Sequence, residues 1–327
     1  MLRADGKCDP PVRWGIVGTG NMAGQFVRDL AMVPDATVVA VASRDPARAR
    51  WFAQQHGIGC AVAGHAAVVG NAEVDVVYIA TEHVSHHELA LAAVAAGKHV
   101  VVEKPFACTA AAARAVVEAA RQRQRFCMEA QWTRFLPALL SARQLVHDGA
   151  LGDVQACRFE LGATHAVDPA SRLFAPARGG GALLELGVHT LAMATHLFGP
   201  GRCVSARVEP TGTGVDGAAT LQLEHAGGVR SDHFVTLVGA TANRALVTGT
   251  RAGLVLAAGS ARHGFTLERP AGGTSEFVAA PARGLGYVYE IEEVMCCLRA
   301  GRTESEAMPL ADTLAVLAIV DHALGVG

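Results

Sequence analysis

Lysine is nearly absent from this chain: of its 28 basic residues only three, Lys7, Lys98 and Lys104, are lysines. Abundant alanine and arginine point to a GC-rich coding bias, and against that bias each retained lysine stands out. Long apolar runs are lacking as well. Hydrophobic residues make up 51% of the sequence, yet a charge or histidine interrupts every run well short of the roughly 20 residues that a membrane span requires, so a soluble protein is expected. No sign of charge prevails. The 28 basic and 30 acidic residues give a formal net charge of -2 and are spread without blocks, which leaves no electrostatic footprint for nucleic acid or an anionic membrane and points to a small-molecule partner. Eight cysteines (Cys8, Cys60, Cys108, Cys127, Cys157, Cys203, Cys296 and Cys297) never form a Cys-x-x-Cys pair with histidine neighbours. A structural zinc site is therefore not expected, nor any other metal, and the thiols read as buried and reduced. Met1 to Trp14 has no apolar h-region of a secretory signal, so the expected location is the cytoplasm.

What is present divides the 327 residues into two parts, as chain length alone leads one to expect. The first, 1–129, alternates strands and helices. Val12 to Val17 is an apolar strand, Gly18 to Gly20 breaks it, and Asn21 to Met32 is compatible with a helix. Thr37 to Ser43 is a second strand, after which Asp45 and Pro46 supply an N-cap and a first-turn proline for a helix to about Gln55. A short strand near Cys60 leads to Val74 to Ala80, apolar almost throughout, as a parallel strand buried on both faces should be. A helix over His86 to Ala96, a strand over His99 to Val102, a helix capped by Thr109 and running to about Gln122, and a strand over Arg125 to Glu129 complete the series. This is the signature of an α/β domain with a doubly wound parallel sheet, which binds ligands beyond the carboxyl ends of its strands.

The second part, 130–327, has a different rhythm. One amphipathic helix, Leu136 to Asp148, is followed by short extended segments at Val154 to Gly162, Cys203 to Val208, Ala218 to Glu224, Ser231 to Val238 and Leu246 to Thr248. These imply an α+β domain with a mainly antiparallel open sheet, covered on one face by helices that include Gly181 to Leu197 and Tyr287 to Arg299. The last helix, Ala311 to Leu324, is expected to pack back on one of the two domains.

Gly18-Thr19-Gly20-Asn21-Met22-Ala23 has the G-x-G-x-x-A spacing of a dinucleotide-binding turn, and it follows a strand and opens a helix. Gly18 permits the tight turn, Gly20 lets a pyrophosphate approach, Ala23 lets helix and strand pack, and the helix N-terminus offers N–H groups to phosphate. The end of the second strand decides the 2′ substituent, since a carboxylate there accepts from a ribose hydroxyl and an arginine pairs with a phosphate. The residues here are Ser43 and Arg44, and the nearest acid, Asp45, precedes a proline and reads as a helix cap. NADP(H) is therefore expected ahead of NAD(H). Glu103-Lys104-Pro105 stands at the carboxyl end of a buried strand, where an ammonium near a nicotinamide can hold a substrate oxygen and stabilise charge during hydride transfer. A solvated strand-end lysine is the other reading of these residues.

Several segments together resemble the glucose-fructose oxidoreductase, inositol dehydrogenase and rhizopine-catabolism (Gfo/Idh/MocA) family. They are Arg13-Trp14-Gly15-Ile16-Val17-Gly18-Thr19-Gly20, Val76-Val77-Tyr78-Ile79-Ala80-Thr81, Ala96-Gly97-Lys98-His99-Val100, Glu103-Lys104-Pro105 and Gly179-Gly180-Gly181-Ala182-Leu183-Leu184. Met128 to Phe135 and Tyr289 to Val294 are similar to the branch containing dimeric dihydrodiol dehydrogenases. The resemblance implies a Rossmann domain and an open-sheet substrate domain, an alcohol-ketone interconversion on a cyclic polyol, sugar or diol, Lys104 as the active-site lysine, and a homodimer or homotetramer formed through the open sheet. It also implies cofactor contacts at Ala80, Thr81, Glu82, His86, Glu103 and Gln131, and a substrate pocket that includes Trp132 and Arg134.

Glu185 and His189 lie four apart on the helix after the triple glycine, so both can reach one ligand. They match the family's Asp and its His or Tyr, and His189 is expected to be the general acid/base. Two residues depart from the family pattern. Glu185 is one methylene longer than the usual aspartate. Glu82 replaces a common proline beside the cofactor, where a carboxylate can contact substrate, repel a phosphate or face water. Two other functions share this fold: a glycosidase that retains its dinucleotide, and a non-catalytic sugar sensor.

Overall fold

The computed structural model describes residues 10–258, 261–269 and 273–326. Lys7, Cys8 and most of the N-terminal segment read for a targeting signal lie outside them. The first layer contains β1 (Val12–Val17), α1 (Asn21–Leu30), β2 (Ala36–Ser43), α2 (Pro46–His56), β3 (Ala61–Ala63), α3 (His65–Val69), β4 (Val76–Ile79), α4 (His86–Ala95), β5 (His99–Glu103), α5 (Ala110–Gln122) and β6 (Cys127–Ala130). Six parallel strands lie in the order β3-β2-β1-β4-β5-β6, so the winding reverses between β1 and β4 and opens a crevice at their carboxyl ends. All of β4 is buried, which is why its sequence shows no polar alternation. Local chemistry sets the helix starts. The Asp45 carboxylate accepts from the Ala47 N–H at 2.8 Å with Pro46 in the first turn of α2, and the Thr109 hydroxyl accepts from the Ala112 N–H at 3.2 Å ahead of α5.

The second part comprises α6 (Pro137–His147), β7 (Val154–Gly162), α7 (Val188–Phe198), β8 (Gly201–Pro210), β9 (Asp216–His225), β10 (Arg230–Thr236), β11 (Arg244–Gly249), β12 (Gly253–Ala257), β13 (Gly264–Glu268), β14 (Glu276–Ala279), α8 (Val288–Arg299) and α9 (Leu310–Leu324). Its eight-stranded sheet has the order β14-β13-β12-β11-β7-β10-β9-β8. Only the β7/β10 pair is parallel among the described pairings. Phe159, Val247 and Leu254 on one face pack with Leu139 and Ala142 of α6 and Ala194 and Leu197 of α7. On the other face Arg158, Gln222 and Asp232 are exposed.

Three expectations need correction. Strands β12, β13 and β14 and the short helix α3 escape a reading by pattern, because each is brief and glycine or alanine blurs its periodicity. The helix expected over Gly181 to Leu197 opens as a π-helical turn over Leu183–Gly187 before α7 begins. Of the thiols, Cys127, Cys157 and Cys297 are buried, whereas Cys296 is exposed on α8.

The chain ends by returning to the first layer. Val288, Ile291, Val294 and Met295 of α8 complete the core around Trp14, Phe26 and Tyr78. Residues of α9 pack with both α5 and α7: Val316, Leu317 and Val320 join Val116, Val117 and Leu191. Polar ties fix the registry. Thr313 on α9 donates to Glu129 at 2.9 Å, Asp321 accepts from the Ala110 N–H at 2.8 Å, and Asp312 pairs with Arg134 at 2.5 Å. The buried Asp29 of α1 accepts from the backbone N–H groups of Leu285 at 2.9 Å and Tyr287 at 2.8 Å, docking the start of α8. Replacement of Asp29 by alanine leaves both N–H groups without an acceptor, so Asp29→Ala should cost roughly 2–3 kcal/mol. An unchanged midpoint in urea unfolding would count against this tie.

Candidate active site

A cleft of about 750 Å³ runs along the carboxyl ends of β1, β2, β4 and β5 and is closed on its far side by residues of the second part, including Arg172, Arg178 and Glu185. At one end lies the glycine turn. Gly18 has φ +109°, and a Cβ there would sit 2.2 Å from the Ala80 carbonyl oxygen, so only glycine fits between β1 and β4. A Cβ on Gly20, in contrast, would meet nothing within 4 Å. No side chain caps α1, whose first N–H groups are left to an outside acceptor. A free helix start beside an open glycine fits the phosphates of a dinucleotide. Thr19, Asn21 and Met22 line this end, and Ser43, Arg44, Arg48 and His65 line its margin at β2.

At the other end β5 delivers Glu103 and Lys104. The Lys104 Nζ donates to the Glu185 carbonyl oxygen at 3.0 Å and lies 3.7 Å from the Glu185 carboxylate. Arg172 grips that carboxylate with two hydrogen bonds of 2.8 and 3.0 Å, and His83 Nε2 stands 3.5 Å from it. Burial alone would raise the Glu185 carboxyl, but Arg172 and Lys104 hold it well below the usual carboxylate range. His189 sits one turn on. Its Nδ1 lies 3.0 Å from Gln131 Oε1, and Gln131 turns its amide nitrogen to the Val188 carbonyl at 3.4 Å. His189 therefore donates from Nδ1 and keeps the lone pair on Nε2. Burial, reinforced by the Lys104 charge, pushes its pKa down to about 3.

Buried carboxyl groups support this end from behind. Tyr78 donates to Glu103 at 2.5 Å, and Glu103 also accepts from the Lys104 N–H at 3.2 Å. Burial raises Glu103 to about 7. Glu129 accepts from the Phe106 N–H at 3.1 Å, just past Lys104, and Asp216 accepts from the Leu183 N–H at 2.6 Å at the start of the π turn. The site thus sets an ammonium and an ionised carboxylate in the cleft that also holds the glycine turn, with the neutral imidazole of His189 within range of both charges.

Comparison with known proteins agrees with this geometry. A family model described as the GFO_IDH_MocA oxidoreductase family with an NAD-binding Rossmann fold matches residues 12–131, and the GFO/IDH/MocA C-terminal domain matches residues 139–255. The chain belongs to the GFO/IDH/MocA oxidoreductase family. It is 35% identical over 321 residues to the trans-1,2-dihydrobenzene-1,2-diol dehydrogenase of Bos taurus, with 92% of each chain covered. In fold it resembles KijD10, a 3-ketoreductase of Actinomadura kijaniata seen with NADP and TDP-benzene, at a TM-score of 0.86 and 24% identity over 95% of this chain and 96% of that one. Levoglucosan dehydrogenase, seen with NADH and L-sorbose, superposes with a TM-score of 0.88 at 21% identity over 97% of each.

Within this family fold, the residues singled out in the sequence fall into three groups. Lys104, Glu185, Glu82, Glu103, His86, Ala80, Thr81, Ser43, Arg44 and all of the glycine turn except Ala23 line the cleft; Ala23 is buried behind it. Gln131 and His189 are joined to each other by their hydrogen bond. His86 is 1% exposed and turns its two ring nitrogens to the carbonyls of Pro105 and Thr81, at 2.8 and 3.2 Å. Trp132 and Arg134 lie apart from the cleft lining. Trp132 stacks on Tyr287 with ring centroids 5.4 Å apart beneath Arg262, and Arg134 is tied to Asp312. Sequence reasoning passed over Arg172, Arg178, Arg48 and His65. Arg48 follows β2 and His65 follows β3, each close to a strand end where a ligand-binding residue is expected. Arg172 and Arg178 lie in a loop without periodicity and reach the cleft only through the tertiary fold.

The two neutral histidines set a pH dependence. His83 is lowered to about 4, by burial first and then by Lys104, and His189 to about 3. A depressed histidine binds its proton more readily in the unfolded chain, so its stabilising contribution is present above about 6.5 and drains as pH falls toward those values. Thermal melts between neutral and mildly acid pH should show the wild type losing more stability than a His83→Asn/His189→Asn double variant. Parallel losses would refute the assignment.

Proposed function

We propose that this protein is a nicotinamide-dependent dehydrogenase or reductase that interconverts a secondary alcohol and a ketone on a diol, cyclic polyol or sugar. The observation that carries the reading is the meeting of Lys104 and ionised Glu185 in the cleft that begins at the uncapped glycine turn, with the neutral His189 close enough to feel both charges. The nicotinamide, when bound, accepts or supplies the hydride. The remaining work falls to this chain. Lys104 Nζ directs positive charge at the substrate oxygen and stabilises the anionic character that develops there. His189 Nε2, with its lone pair exposed by the Gln131 contact, takes the hydroxyl proton during oxidation and returns it during reduction. Glu185, held ionised by Arg172, accepts from a neighbouring hydroxyl, which suits a vicinal diol or a sugar ring. The bovine relative, named for a dihydrodiol, supports the same class.

NADP(H) is favoured over NAD(H) because Arg44, Arg48 and His65 surround the end of β2, while the nearest carboxylate, Asp45, is committed to capping α2. The protein is read as cytoplasmic and as a homodimer or homotetramer that associates through the open sheet, near whose edge Phe277 is 53% exposed.

A screen of cyclic polyols, diols and their ketones with both cofactors, followed at the nicotinamide absorbance band, tests the proposal. Cleavage of nitrophenyl glycosides by protein that retains its dinucleotide would instead favour the glycosidase reading. Lys104→Met should fold and bind cofactor but lose turnover by about 100-fold or more; undiminished turnover removes the lysine from the mechanism. NADPH should bind more tightly than NADH, and Arg44→Ala should abolish most of a difference of roughly 1–3 kcal/mol. Equal affinities in a fluorescence titration would defeat the cofactor preference.

A further inference from the structure

Glu82 follows β4 and stands between two arginines that arrive from different parts of the chain. One carboxylate oxygen accepts from Arg178 at 2.7 Å and from Arg44 at 3.2 Å. The two arginines are not equivalent. Arg44, at the end of β2, is 77% exposed. Arg178 is 38% exposed and fixed: its other guanidinium nitrogen donates to the Ala170 carbonyl at 3.2 Å. It also ends a short helical turn, Pro176–Arg178, whose following residue, Gly179, accepts from His83 Nδ1 at 2.9 Å. His83 is the residue next to Glu82, so the segment carrying Arg178 is tied to the β4 loop at two successive positions. Glu82 is thereby held in place, and Arg44 is its more exposed partner.

We propose that Glu82 is a specificity-determining residue for the dinucleotide: held by Arg178, it occupies the guanidinium of Arg44 and competes with a 2′-phosphate for it. Any phosphate that recruits Arg44 must draw it from Glu82 and then sit close to a carboxylate that cannot withdraw, and like charges at that range oppose each other. A ribose 2′-hydroxyl meets no such opposition and can donate to an acceptor. Glu82 therefore narrows the preference for NADP(H) that Arg44, Arg48 and His65 create, and leaves NAD(H) usable. The inference rests on the reading of Arg44 as the residue that faces the 2′ position.

The test is equilibrium binding of NADP+ and NAD+, by calorimetry or quenching of protein fluorescence, to the wild-type chain and to Glu82→Gln, Glu82→Ala and Arg44→Ala. Thermal melts of each without cofactor establish that the variants are folded. Both Glu82 variants should tighten NADP+ by roughly tenfold and shift NAD+ far less. Because the carboxylate screens the phosphate from Arg44, NADP+ binding should also become more salt-dependent in these variants. If Arg44→Ala lowers the NADP+ to NAD+ ratio while Glu82→Gln and Glu82→Ala leave it unchanged or lower it, the role given to Glu82 is wrong and the reading of Arg44 stands. If Arg44→Ala leaves the ratio untouched, the reading beneath it falls, and the role of Glu82 with it.

Discussion

The charge on Lys104 is the constraint around which the site is built. An ammonium that is only 12% exposed at the end of a parallel strand is costly unless something nearby answers it, and among the described residues its ion-pair partner comes from outside the first sheet. Its close partner is Glu185, from beyond the triple glycine, which receives Nζ on its main-chain oxygen and faces it with its carboxylate. One carboxylate between a lysine and a bidentate arginine stays ionised at any working pH. The same lysine charge adds to burial in keeping His83 and His189 neutral, so one cation biases the protonation of three neighbours. The second domain thus supplies more than a wall for the cleft. It supplies the counter-charge that lets the lysine of the first domain be there at all.

Beneath this pair the fold uses one device repeatedly. A buried carboxyl group from a distant part of the chain accepts from backbone N–H groups at a turn or helix start: Asp29 at Leu285 and Tyr287, Glu129 at Phe106, Asp216 at Leu183, and the partly exposed Asp321 at Ala110. Such contacts place backbone rather than side chains, which is what a site needs if its reacting groups are to stay in register. Two of the four join the ends of the chain to its beginning, and Glu129 is itself bound by Thr313 of α9. The C-terminal helices are therefore part of the support for Lys104. Glu290 differs from these acids. It is fully buried with no hydrogen-bond partner on either oxygen, and burial raises it well above the ordinary carboxyl range, so it sits in the core as a neutral acid.

Much of this was legible in the sequence where the signal is local. The glycine turn, the strand-end lysine, the Asp45 and Thr109 caps and the alternation of the first sheet all depend on residues close together in the chain, and each is found where its pattern places it. The remainder depends on contacts that no spacing reveals. Arg172 lies thirteen residues before the glutamate it grips, and Arg178 lies ninety-six residues after the one it shares with Arg44. Gln131, read from the family resemblance as a cofactor contact, is hydrogen-bonded to His189, because β6 ends directly opposite the start of α7. Strands β12 to β14 escape for another reason: they are short strands at one end of the second sheet in which glycine and alanine dilute the alternation.

The spacing of Glu185 and His189 was read on a regular α-helical geometry that the structure replaces with a π turn. Four residues apart in a regular α-helix, two side chains share a face. Here the turn over Leu183–Gly187 is π-helical, and wide turns of that kind interrupt the regular ladder of carbonyl oxygens and recur at functional sites. In this chain the interruption falls at the residue whose carbonyl oxygen accepts from Lys104. Position and charge are consequently supplied by different atoms of one residue: the main chain of Glu185 holds the ammonium in place, and its side chain balances the charge. A residue one methylene longer than the family's aspartate is compatible with that division, because the main-chain contact does not depend on side-chain length and the added reach is taken up by Arg172. The extra methylene of Glu185 thus has a physical place in the site.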